Sequence, residues 1–175
     1  MTVLVVPLLV VLLVLANRGG GDDGDDSPAR VDGPAATARG DLPVLEVPVP
    51  PVTAEADAAC PAFMTDLPVE LAGQPSRRVR SDTPYAYAWG EPPVVLRCGV
   101  ERPAGFVVGG PQLFELNGVS WFVDDSDPDR YVWTVVDRTV YVELAVPADV
   151  SSAPAIALGP LITATLPYQE PRPGG

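Results

Sequence analysis

The most reactive side chains in this sequence are two thiols, Cys60 in Ala58-Ala59-Cys60-Pro61 and Cys98 in Leu96-Arg97-Cys98-Gly99. Thiols serve as redox couples, metal ligands, nucleophiles or structural bridges. A redox couple calls for closely spaced cysteines or an activating cation, and neither accompanies these two on the same strand face. The 175 residues include no histidine, and all eleven basic side chains are arginine. Ser-His-Asp and Cys-His arrangements and His-containing zinc sites are therefore excluded. Schiff-base and phosphate-loop lysines are excluded as well. Carboxylates, hydroxyls and guanidinium groups remain for chemistry.

Three groupings of these residues stand out. In Thr83-Pro84-Tyr85-Ala86-Tyr87-Ala88-Trp89-Gly90-Glu91, an extended backbone puts Tyr85, Tyr87, Trp89 and Glu91 on one side. Aromatic rows with a carboxylate can stack on sugar rings or grip a peptide, or they can be core. Arg97 follows on the outward face of its strand, as a ligand clamp or an ion-pair partner. Arg77, Arg78 and Arg80 form the only basic cluster, a candidate contact for an anionic polymer or lipid headgroup, or a set of solvated loop charges. Asp124, Asp125, Asp127 and Asp129 resemble the opening of a calcium loop, but Arg130 stands at the required glycine and Val136 at the closing glutamate, so a plain hairpin loop is expected. No metal or cofactor is expected.

The elements that must position these groups begin with an export segment. Residues 2–16 are uncharged and almost wholly apolar. As a helix they would reach about 22 Å, short of the roughly 30 Å hydrocarbon core of a bilayer. Residues 1–17 are thus expected to be a signal segment or a transmembrane anchor that borrows its neighbours. Only the terminal amine supplies the positive charge that ordinarily opens such a segment, which points to a start upstream of Met1. Residues 18–59, rich in Gly, Asp and Pro, carry three arginines against nine acids and read as a disordered stalk. Ala58-Ala59-Cys60 lacks the apolar run of a lipid-attachment box, and Arg39-Gly40-Asp41 matches an adhesion tripeptide by letters only.

A domain is expected over residues 60–167. A helix starting at Pro61 would carry Phe63, Met64, Leu67 and Leu71, with Pro68 ending it. In residues 93–99, alternation places Val94, Leu96 and Cys98 on the inner face and Val95 and Arg97 on the outer. Asn117-Gly118 predicts a type I′ hairpin pairing Leu116 with Val119, Glu115 with Ser120, Phe114 with Trp121 and Leu113 with Phe122. A second hairpin is expected around Asp137-Arg138, pairing Val135 with Val140. A short helix should start near Pro160, and residues 168–175 should be loose. The class is α+β: a small antiparallel sheet built from hairpins, with short helices on one face. Outside the cytoplasm a bridge between Cys60 and Cys98 is the leading expectation, with free thiols the alternative.

The segments "CPAFMTDLPVELAGQPSRRV", "YAWGEPPVVLRCGVERPAG" and "NGVSWFV" together resemble the actinobacterial family known as domain of unknown function 3515. The resemblance runs from about residue 60 to 166. It implies a secreted or membrane-anchored envelope protein with a disulfide, and no reaction. The net charge of −12 disfavours nucleic acid. The expectation is an extracytoplasmic, non-catalytic binding module, tethered to the membrane through its N-terminal helix, with an envelope protein or polymer as partner. The alternatives are a carboxylate-dependent hydrolase of wall glycan, needing two acids about 5–9 Å apart, and a purely structural assembly factor.

Overall fold

The computed structural model describes residues 39–173. The expected anchor, residues 1–17, and stalk residues 18–38 lie outside them. Within the described residues no helix is long and apolar enough to cross a membrane.

Ten short strands and two helices are present among the described residues: β1 (Leu45–Glu46), α1 (Ala54–Thr65), β2 (Glu70–Leu71), β3 (Gln74–Pro75), β4 (Val79–Arg80), β5 (Ala86–Trp89), β6 (Val94–Val100), β7 (Leu113–Leu116), β8 (Val119–Asp124), β9 (Arg130–Val135), β10 (Tyr141–Pro147) and α2 (Ala153–Thr165). Six strands form one sheet in the order β5-β6-β10-β9-β8-β7, antiparallel throughout. α1 and α2 pack on part of its inner face, which gives the α+β arrangement expected.

The Asn117-Gly118 hairpin has the predicted register, with all four pairs from Leu113 with Phe122 to Leu116 with Val119. Both turn residues have positive φ, 52° and 74°, as a type I′ turn requires. The second hairpin is offset by two residues: Val135 pairs with Val142 and Trp133 with Leu144. The reason is that Asp137 and Arg138 are not a solvent turn. They form a buried ion pair at 2.7 Å; Asp137 accepts from the Ser120 amide and Arg138 donates to Gly118 O. An offset of two leaves every side chain on its predicted face.

Both helices start earlier than their prolines suggest. Thr53 caps α1 by accepting from the Ala56 amide at 3.1 Å, and Glu55 and Asp57 complement the positive end of the helix dipole. Ala56, Cys60 and Phe63 then fall on the buried stripe, with Pro61 inside the helix. In α2, Pro160 likewise lies within the helix and cannot donate to Ile156 O. That carbonyl instead accepts from Asn117 Nδ2 at 3.2 Å, so the hairpin turn compensates the helix proline. The tail is not loose through residue 172. Gln169 N donates to Asp137 O, Pro167 O accepts from Thr139, and Arg172 lies over the Tyr141 ring.

Cys60 and Cys98 are joined, Cα to Cα 5.9 Å, and both are fully buried. Beside the bridge, Gly99 has φ +82° and sits at a break in the β6–β10 register. A Cβ there would lie 2.6 Å from Ala56 Cβ, so α1 rests on the bare backbone of β6. Gly99→Ala should therefore cost about 2–5 kcal/mol from left-handed strain plus overpacking. Gly105→Ala, whose Cβ would meet the Phe122 ring at an ordinary 3.4 Å, should cost no more than about 1 kcal/mol. Urea midpoints of the two variants check this. Replacing both cysteines by serine opens a loop of 38 residues' separation and should cost about 4 kcal/mol on the same assay.

Candidate functional site

Residues 39–48 do not belong to a free tether. They lie parallel to residues 76–80, with Arg39 N donating to Ser76 O, Leu45 N to Arg78 O and Val47 N to Arg80 O. Residues 75–77 in turn bond the edge of β5 through Gly90 N to Pro75 O and Arg77 N to Ala88 O, which covers an otherwise open sheet edge. Within residues 39–48, Leu45 and Val47 alternate around Glu46, with Val47 buried. This period-two signal is short and flanked by prolines, so composition masked it.

The basic cluster is taken up by this strap. Arg77 is buried; it pairs with Glu91 and donates to Gly90 O and to Pro43 O at 3.2 Å. Arg78 donates to Gly40 O and Leu42 O, and Arg80 pairs with Glu46 at 2.7 Å. Arg77 and Arg78 are therefore ties to the backbone carbonyls of the strap, and Arg80 forms an exposed ion pair with Glu46.

The aromatic row is core, not a ligand face. Trp89 is fully buried and its indole donates to Pro68 O at 2.8 Å. Tyr85 is buried with its hydroxyl donating to Asp57 at 2.9 Å, which together with burial holds the phenol above its ordinary pKa. Tyr87 is half-buried against Trp89, ring centroids 4.8 Å apart. Glu91 turns away to Arg77. The inner face of β5 lies under the segment joining α1 to β2, so the side shared by the row is the side that packs.

Arg97 has the outward position expected of it, directly across from Glu143 on β10. It donates to that carboxylate through Nε and Nη2, and to Pro48 O through Nη1 at 3.2 Å. Around this ion pair the strap and the sheet enclose an open cleft of about 480 Å³. Val95 and Ala145 form its apolar floor, Pro48, Pro92, Pro93 and Pro147 its walls, and Asp129 and Arg130 one end. Arg130 pairs with Asp127 through Nε at 3.1 Å and has no other side-chain partner among the described residues. The volume is in the range of ordinary ligand sites, and four of the lining residues are prolines, whose φ is fixed by the ring. Of the predicted site residues only Arg97 lines it. The strap, Glu143 and the paired prolines were missed, although Pro92-Pro93 beside an outward Arg97 is a signal that could have been weighed.

Of the acids lining the cleft, Glu143 pairs with Arg97 and Glu46 with Arg80, whereas the Asp129 side chain has no hydrogen-bond or ion-pair partner among the described residues. No cluster of three metal-ligating residues occurs among the described residues.

The pattern of the family described as Protein of unknown function (DUF3515) matches residues 2–171. This chain belongs to that family. No curated protein and no solved structure matches the chain. The DUF3515 description assigns no activity to the cleft.

At the start of the strap, Arg39 donates to Asp41 at 2.7 and 2.5 Å. That pair lowers the Asp41 carboxyl from 3.8 to about 2. Because the folded value is depressed, the contact helps hold the strap at all pH above the ordinary value and is lost as pH falls through about 2. Carbon-detected NMR titration should find Asp41 still ionised at pH 3, and Arg39→Ala should return it to its ordinary value.

Proposed function

We propose that this protein is a non-catalytic interaction module, carried outside the cytoplasm on a membrane anchor or released from a signal segment, that seats an extended segment of an envelope protein. The single observation that carries this is the preformed cleft between strap and sheet, about 480 Å³, with an apolar floor and proline walls. Proline-lined, rigid grooves favour extended chains, because little ordering entropy is lost on the receptor side. Two of the three carboxylates lining the cleft, Glu46 and Glu143, already have guanidinium partners, and only Asp129 is unpaired. A glycosidase needs two working carboxyls, one to give up a proton and one to act as base or nucleophile, so a single unpaired acid supports binding over hydrolysis. The apolar N-terminal run, residues 2–16, and the disulfide support an oxidising location beyond the membrane.

Photoreactive residues at positions 46 and 130, both exposed at the cleft, test this in intact cells, with position 69 as the control away from it. A discrete protein adduct should form from 46 and 130 and not from 69. Ala145→Leu, which fills the floor without touching the inner core, should reduce it at least about fivefold. Absence of an adduct, or an adduct indifferent to Ala145→Leu, would refute the cleft as a binding site. Release of reducing ends from isolated wall glycan by the purified protein would favour hydrolysis instead.

A further inference from the structure

The helices do not cover the whole inner face of the sheet. Trp121 on β8 is fully buried beneath them, but the same face continues outward to Trp133 and Tyr131 on β9 and to Phe114 on the edge strand β7. Phe114 is 47% exposed and Tyr131 38%. The Phe114 and Trp133 rings stand 6.2 Å apart at 44°, and Trp133 meets Trp121 edge-on at 6.2 Å. Between these rings lies a groove of about 420 Å³, closed by Pro111 and Gln112 on one side and by Asp125, just past the end of β8. Phe114 and Tyr131 are exposed and Trp133 is half-buried beside them, so the three rings form one contiguous aromatic surface of the kind that marks a binding groove.

The charge of the groove selects its occupant. Asp125 is the one formal charge lining it, no arginine reaches it, and the Asp125 side chain has no hydrogen-bond or ion-pair partner among the described residues. Aromatic faces carry negative quadrupole potential, the same sign as the carboxylate, so rings and acid attract one kind of ligand. A hydrated metal ion does not fit, because calcium or magnesium demands several oxygen ligands and the walls are rings. A bulky, weakly hydrated organic cation does fit: its methyl or methylene groups contact the rings while its charge faces Asp125. We infer that the groove of Phe114, Tyr131, Trp133 and Asp125 is a binding site for an alkylated ammonium group. It is independent of the cleft that Arg97 lines, which is on the other face of the sheet.

The test uses the full-length chain in a non-ionic, choline-free detergent, following the indole N–H resonance of Trp133 by NMR. The probes are choline, its uncharged isostere 3,3-dimethylbutan-1-ol, and methyl glucoside. Choline should give a saturable shift at Trp133, with the isostere at least about tenfold weaker, since the charge is what rings and carboxylate recognise. Phe114→Ala and Asp125→Asn should each weaken choline about three- to tenfold. The Trp89 and Trp121 resonances should stay in place, reporting an intact fold. Equal binding of the isostere would make the groove a plain apolar slot, and preference for methyl glucoside would make it a sugar platform. Either result overturns the proposal, as does the lack of a saturable shift or a choline titration indifferent to both variants.

Discussion

The contact of α1 with the backbone of β6 is the constraint on which the rest of the architecture depends. Gly99 allows it, because any side chain there would collide with Ala56, and Cys98 locks it through Cys60. Once Cys98 faces the helix, the two-residue alternation of a strand leaves Arg97 no choice but the outer face. β10 then brings Glu143 opposite, and the guanidinium fork, satisfied on one side by that carboxylate, reaches Pro48 with its remaining nitrogen. The floor of the cleft thus follows from a helix contact on the far side of the sheet.

Arginine has an unusual share in holding this fold. Arg77, Arg78, Arg97 and Arg138 each bond backbone carbonyls from distant segments, and three of them also pair with a carboxylate. A planar group with five donors can tie several acceptors at once, which an ammonium on a flexible stem does less well. The strap has little apolar surface of its own beyond Leu45 and Val47, so these ties and the parallel backbone bonds to residues 76–80 are what order it. A similar economy serves α2. Its proline frees one carbonyl, and the turn residue that supplies positive φ for the hairpin also supplies the missing donor.

The two recesses differ in chemistry as well as in face. One is walled by prolines around a satisfied ion pair; the other is walled by aromatic rings around an unpaired carboxylate. A small sheet can offer both because neither the strap nor the helices cover a whole face. The polar loop of aspartates between β8 and β9 serves them jointly, placing Asp129 at the cleft beside Arg130, the first residue of β9, and Asp125 at the aromatic groove.

Local regularities were legible from the residues alone. The Asn117-Gly118 register, the inward and outward sides of β6, the α+β class and the partnership of two lone cysteines all follow from backbone period, turn stereochemistry and the chemistry of thiols. Where a residue's role depended on what lies far along the chain, the same residues were ambiguous. Asp137-Arg138 suits a turn until Ser120 and Gly118 are there to bury it. Tyr85, Tyr87 and Trp89 suit a binding face until the segment after α1 covers them. Residues 39–48 suit a tether until the arginines at 77 and 78 supply donors. Sequence by itself therefore determined which way side chains point along each element, because that is set by a period of two or 3.6 residues. Only the tertiary structure decided which of those faces meet a partner and which remain open, because burial is a property of what folds against a surface and not of the segment that bears it.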